Sequence, residues 1–250
     1  MFDWLTSDAK AVIALIALAQ PWVISLVKRY WRPGTIDVYP TGTVEVGFSA
    51  FGATLGVQGT IRAVDRELFV SSMDLETVRL SDSSRHKLEW GAFRPPAALL
   101  NPSKDPIEVP AGFMLQPAAP RRFNIMFFDT ELQAVIKEAL NPFERTWYDK
   151  IRDDNVAPDD GKAYYNGKFK DQPIVLTTYT VIDRAVYWQK GDYSLTLRIH
   201  TARPDRMFET KLHFSLSEND AESLRRNSLN IMRAAANIDD YFYFASAPYK

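Results

Sequence analysis

Residues 44–80 read VEVGFSAFGATLGVQGTIRAVDRELFVSSMDLETVRL. Val44, Val46 and Phe48 share one parity with Ile36 and Val38 upstream, and polar residues stand between many of them. Apolar residues at every second position mark a strand with one face in a core. Gly52, Gly56 and Gly59 break the run at intervals suited to tight turns or close sheet packing. The stretch therefore reads as three strands joined by short turns.

Downstream, residues 84–93 (SRHKLEWGAF) predict a further strand, and Pro95 to Pro106 a loop. Ile107–Leu115 and Arg122–Phe128 predict two more. About six short strands without intervening helices predict a mainly β chain built as an antiparallel β-sandwich with a few α-helices. In general style the run from Val44 to Leu80 resembles immunoglobulin-like or arrestin-like sandwich halves. That likeness is one of fold and carries no site with it.

Asp129 with Gln133 resembles a capping box, and Leu132, Val135, Ile136 and Leu140 form an apolar stripe behind it. Asn141-Pro142 with Glu144 predicts a restart, a second helix whose apolar face is Phe143, Trp147, Tyr148 and Ile151. Asp153–Lys170 is polar and leaves open a seam between two lobes of one domain at 35–250. Strands return at Pro173–Trp188, Tyr193–Thr201 and Met207–Leu216. With Ala202–Asp205 as a loop, Ile199 opposes Phe208, Leu195 opposes Leu212, and Arg198 meets Glu209 on the solvent face. Ser217 then caps a last helix, with Asp220 at its third position and Leu224, Leu229, Met232 and Ala236 facing inward.

Ahead of this domain, residues 1–32 form a separate hydrophobic helix. Ala11 to Val27 (AVIALIALAQPWVISLV) carries no charge and lies between Lys10 and the basic set Lys28, Arg29 and Arg32. Seventeen residues at 1.5 Å rise span about 25 Å, the short end of a bilayer-crossing length. Trp4 before the run, and Tyr30 and Trp31 after it, suit the two interfacial zones. The segment reads as a single-pass membrane anchor, and the excess of basic residues on its C-terminal side places the main domain in the cytoplasm. A helix buried in its own domain or in an oligomer is the alternative. Asp3 and Asp8 without an early Lys or Arg argue against a cleaved signal peptide.

Composition narrows the function classes. Thirty basic against 31 acidic residues give a net charge of −1, with no footprint for nucleic acid. Zero cysteines exclude disulfides, thiolate metal sites and Cys nucleophiles.

The three histidines, His86, His200 and His213, do not converge: the hairpin register sets the last two roughly 20 Å apart. Gly47-Phe-Ser49-Ala-Phe-Gly52 misses the nucleophile-elbow spacing and reads as a turn. Asp153, Asp154, Asn155, Asp159 and Asp160 lack the alternating ligand order of a calcium loop. Arg121–Arg122 and Arg225–Arg226 read as surface charge, and Trp90 and Phe93 as core anchors.

No residues are assigned to catalysis, a cofactor or a metal. The tail Tyr241, Phe242, Tyr243 and Phe244 either seals the core or offers an edge to a partner. The expectation is a cytoplasm-facing interaction or scaffold protein attached to the bilayer, with protein subunits as partners. A small-molecule sensing domain using Trp90, Trp147 and Trp188 is the alternative, and an unrecognised hydrolase a third reading.

Overall fold

The structure, a computed structural model, describes residues 7–31, 34–93, 109–202, 204–238 and 241–250, with first-helix side chains from Val12 to Val27. Trp4, Arg32 and the whole of the predicted Pro95–Pro106 loop fall outside these residues; Ala11, Lys28, Arg29 and Trp31 are placed by their backbone alone. Helix α1 (Ser7–Trp31) is followed by strands β1 (Thr35–Pro40), β2 (Thr43–Ser49), β3 (Gly52–Val64), β4 (Leu68–Arg79), β5 (Arg85–Phe93), β6 (Phe113–Leu115) and β7 (Arg121–Phe128). A helical block follows: α2 (Thr130–Asp153), α3 (Gly161–Tyr164) and α4 (Pro173–Arg184). The chain closes with β8 (Gly191–Ala202), β9 (Asp205–Leu216), α5 (Glu218–Ala235) and β10 (Phe244–Pro248).

The ten strands form one antiparallel sheet, ordered β10-β2-β3-β7-β5-β4-β8-β9, with β1 added to β3 and β6 to β4. Its two ends approach each other, and the Lys250 N–H donates to the His213 carbonyl at 2.9 Å. The sheet is therefore curled upon itself, and it replaces the two-layer sandwich expected from the sequence. Alternation in a strand says that one face is buried; a facing sheet and the far wall of the same sheet bury it equally well. Long β3 serves both ends of the curl, pairing with β2 and then β1 along one edge and with β7 along the other. Gly59 allows this: a Cβ there would lie 2.4 Å from the Tyr39 carbonyl oxygen.

Strand register assembles the concave face. Val46 sits opposite Leu55, which sits opposite Phe127; Leu75 meets Leu88 on one side and Leu197 on the other. All six are at most 1 % exposed. The β8–β9 hairpin has the predicted register, including Arg198 opposite Glu209.

Helices α2, α4 and α5 close the end of the curl bounded by the β2–β3 and β4–β5 turns, where β7 ends and β8 begins. α2 packs on β3 and α4, and α5 on β2 and α4. Tyr187 and Trp188, just before β8, carry the core across this junction: Trp188 is 1 % exposed and its Nε1 donates to the Gly47 carbonyl at 2.6 Å. Core residues of sheet and helices form one cluster.

Three further expectations are corrected. Pro173–Trp188 is not a strand. Its first twelve residues are α4, because Val175, Thr178 and Ile182 are buried at helical spacing and Pro173 occupies the first turn. Its β-branched residues favour a strand locally, and packing overrides that preference. Nor does a second helix start at Asn141. α2 runs through Pro142, since Ile136, Leu140, Phe143 and Trp147 keep one continuous buried stripe across it. Leu229 is 40 % exposed rather than inward.

Among its described side chains, Val12 to Val27, α1 contributes nothing to the core. Val12, Ile13, Leu15, Ile16, Leu18, Trp22, Val23, Ile24, Leu26 and Val27 are 44–77 % exposed, and every other described side chain of the helix is exposed too. The reading of α1 as a helix buried within its own domain is thereby removed. Among the described residues no helix is long and apolar enough to cross a membrane, so the single-pass span lacks support from the fold.

Candidate functional site

At the junction of sheet and helices, His86 of β5 reaches Asp129, the residue between β7 and α2. Nδ1 and Oδ2 are 2.6 Å apart. Asp129 is 2 % exposed, and its other oxygen, Oδ1, accepts from the Leu132 N–H at 2.9 Å as the N-cap of α2. The His86 ring lies against Tyr187, centroids 3.9 Å apart, and the Tyr187 hydroxyl lies 3.2 Å from Thr77 Oγ1. Burial pushes the Tyr187 phenol up. This arrangement ties β5, α2 and the β8 approach together. The Tyr187 hydroxyl is engaged with Thr77 and the Ser84 carbonyl rather than with the histidine.

On the outer face of the sheet, Arg198 binds Glu209 at 2.9 Å, Glu76 and, more distantly, Asp74. Hydrogen bonds to Glu209 and then Glu76 raise its pKa further. His200 Nε2 lies 2.7 Å from Asp74 Oδ2. His213 sits opposite Ser194 and His200 opposite Met207, so the two histidines stay far apart as expected. Among the described residues no three His, Asp or Glu side chains gather as a metal-binding set.

The concave feature of the helical cap lies between α4, α5 and the single π-turn Tyr165–Phe169 that follows α3. A π-turn widens the helix by one residue and is a recurrent feature of functional sites. Here Tyr165 and Phe169 both point into the core, with Tyr165 against Trp147 at 5.8 Å between centroids. The cavity measures about 370 Å³. Val175, Leu176, Tyr179 and Leu229 form its walls, and Lys170, Arg226 and Arg233 supply cations. Tyr165 also lines it; the residue is 3 % exposed and its hydroxyl is enclosed without a hydrogen-bond partner among the described residues. An enclosed, unpaired hydroxyl costs on the order of 1–3 kcal/mol. Burial pushes this phenol up, with Arg233 pulling the other way.

The remaining sequence-derived candidates disperse. Asp154 accepts from the Tyr164 hydroxyl at 2.6 Å, which pushes that phenol up to about 12, while Asp159 and Asp160 sit in a separate short helical turn. Arg121 lies over the rings of Phe113 and Phe93, at 4.4 and 5.6 Å from their centroids. Trp90 joins that cluster edge-on to Phe93 at 4.9 Å. Arg225 is held by Asp183, Nε to Oδ1 2.8 Å, and holds that carboxyl below the usual range. Ser49 and Gly52 flank a β-turn.

In the tail, Phe242 packs on the core, Phe244 begins β10, and the Tyr243 hydroxyl donates to Asp220 at 2.7 Å. Tyr241 is 73 % exposed. Trp147 and Trp188 are fully packed rather than lining the cavity. Sequence reasoning missed the cavity because its residues, 165 to 233, come from three elements, one of which read as a strand.

No protein-family model matches the chain, and no curated protein matches it. A solved structure described as "Crystal structure of protein from Archaeoglobus fulgidus" aligns with 74 % of this chain and 97 % of that one at 10 % identity. Its TM-score is 0.25, and no argument rests on it.

Proposed function

We propose that the chain is a membrane-attached interaction or scaffold protein, held at the bilayer by α1 with its curled sheet and helical cap on the cytoplasmic side. The observation that carries this reading is that every described side chain of α1 is exposed, large apolar ones prominent among them, beside a core that uses none of them. An exposed, uncharged stretch of this apolar content finds its place in lipid or against another apolar surface. The uncharged stretch from Ala11 to Val27, with Lys28, Arg29 and Trp31 at its C-terminal end, favours lipid, since basic and Trp side chains suit the headgroup zone. Twenty-five residues of helix extend about 37 Å, enough to enter a bilayer deeply.

Carbonate extraction of membranes, on the full chain and on a chain starting at Gly34, tests the reading. Retention of the full chain, with the shorter one soluble and folded, supports it. Release of both overturns it and assigns α1 to an oligomer interface.

A further inference from the structure

We propose that the cavity between the π-turn, α4 and α5 is a binding site for a small amphipathic monoanion: an aliphatic or aryl body that ends in one carboxylate. Two independent features point to that chemistry. The walls, Val175, Leu176, Leu229 and the ring of Tyr179, are apolar and ask for an apolar body. Lys170 and Arg226 make no ion pair with any described carboxylate, although the arginine next door, Arg225, is neutralised by Asp183. Their charge is thus left for a ligand, and an arginine's planar fork can hold a carboxylate through two parallel hydrogen bonds.

The volume of about 370 Å³ lies within the range of small-ligand pockets and confines the ligand to a short chain or a few rings. The site is separate from α1, so the inference stands whether or not α1 enters lipid.

The test uses decanoate as probe, titrated calorimetrically below its micelle concentration against the full chain, with decanol as the uncharged control. Saturable binding of decanoate, with decanol much weaker, is the expected result. Arg226→Gln and Lys170→Gln are surface substitutions that leave the core untouched, and each is expected to weaken binding about tenfold. Binding that is equal for decanol, or unchanged in Arg226→Gln, overturns the proposal, because it reports nonspecific adsorption to exposed α1. If decanoate does not bind but vesicles of anionic lipid bind in an Arg226-dependent way, the basic rim is a headgroup contact and the small-ligand proposal fails.

Discussion

Asp129 joins two elements through one side chain: its Oδ2 holds His86 Nδ1 at 2.6 Å while its Oδ1 caps α2 by accepting from the Leu132 N–H. The sheet and the helical cap thus meet at a carboxylate that is 2 % exposed. Asp129→Ala removes both bonds and is expected to cost about 2–3 kcal/mol. His86→Ala leaves the cap and is expected to cost about half of that. Asp129→Asn keeps a capping oxygen and should fall between them. Urea denaturation followed by far-ultraviolet circular dichroism ranks the three; equal losses for all would show that the cap contributes nothing.

Gly52 turns the chain from β2 into β3 at φ +78°, and a Cβ there would stand 2.8 Å from the Asp129 carbonyl oxygen. Left-handed strain and a backbone clash coincide. Gly52→Ala is expected to destabilise by about 2–3 kcal/mol, read as a lowered urea midpoint at constant slope. A neutral substitution would mean that this turn is free to rearrange away from α2.

Asn227 is fully buried in α5 and stitches it to the sheet and to the tail. Its Nδ2 donates to the Phe48 carbonyl at 3.0 Å and the Tyr243 carbonyl at 2.8 Å, and its Oδ1 accepts from the Tyr243 N–H at 3.0 Å. Asn227→Leu fills similar volume but strands those backbone groups, at an expected cost of about 3 kcal/mol. Amide hydrogen exchange at Tyr243 should accelerate in the same variant. Unchanged exchange there would show that β10 holds the tail without Asn227.

Alkali should loosen the fold through its buried phenols. Burial pushes Tyr249 up to about 12 and raises Tyr165, Tyr187 and Tyr193 as well. A pKa raised in the folded state means that the neutral form is the one the fold accommodates. Its contribution is complete below the ordinary tyrosine value of about 10 and is lost as pH rises through about 12. Stability should therefore fall between pH 10 and 12, less steeply in Tyr249→Phe. Parallel pH profiles for the two proteins would remove Tyr249 from that account.

Legibility followed sequence distance. The β8–β9 register, with Arg198 opposite Glu209, was readable because a short connection leaves few alternatives to matching apolar parity. Ser217 and Asp129 were readable as caps because a cap is written in the residues beside it. Glu76 and Asp74, which complete the Arg198 cluster, come from a strand over 120 residues earlier, and nothing local announces that pairing. α4 reads as a strand because PIVLTTYTVIDR carries strand-like residues on a helical burial period that only its packing against α2 and α5 reveals.

By itself the sequence determined the alternation of the strands, the capped helices, the neutral charge balance and the apolar character of α1, all of them properties of residues and their near neighbours. Tertiary structure decided that the strands close into one curled sheet, that α1 stays outside the core, and that Tyr165, Lys170, Arg226 and Arg233 line one cavity. The division has a physical cause. Periodicity and capping are local free energies, whereas closure and pocket formation depend on which distant surfaces bury one another.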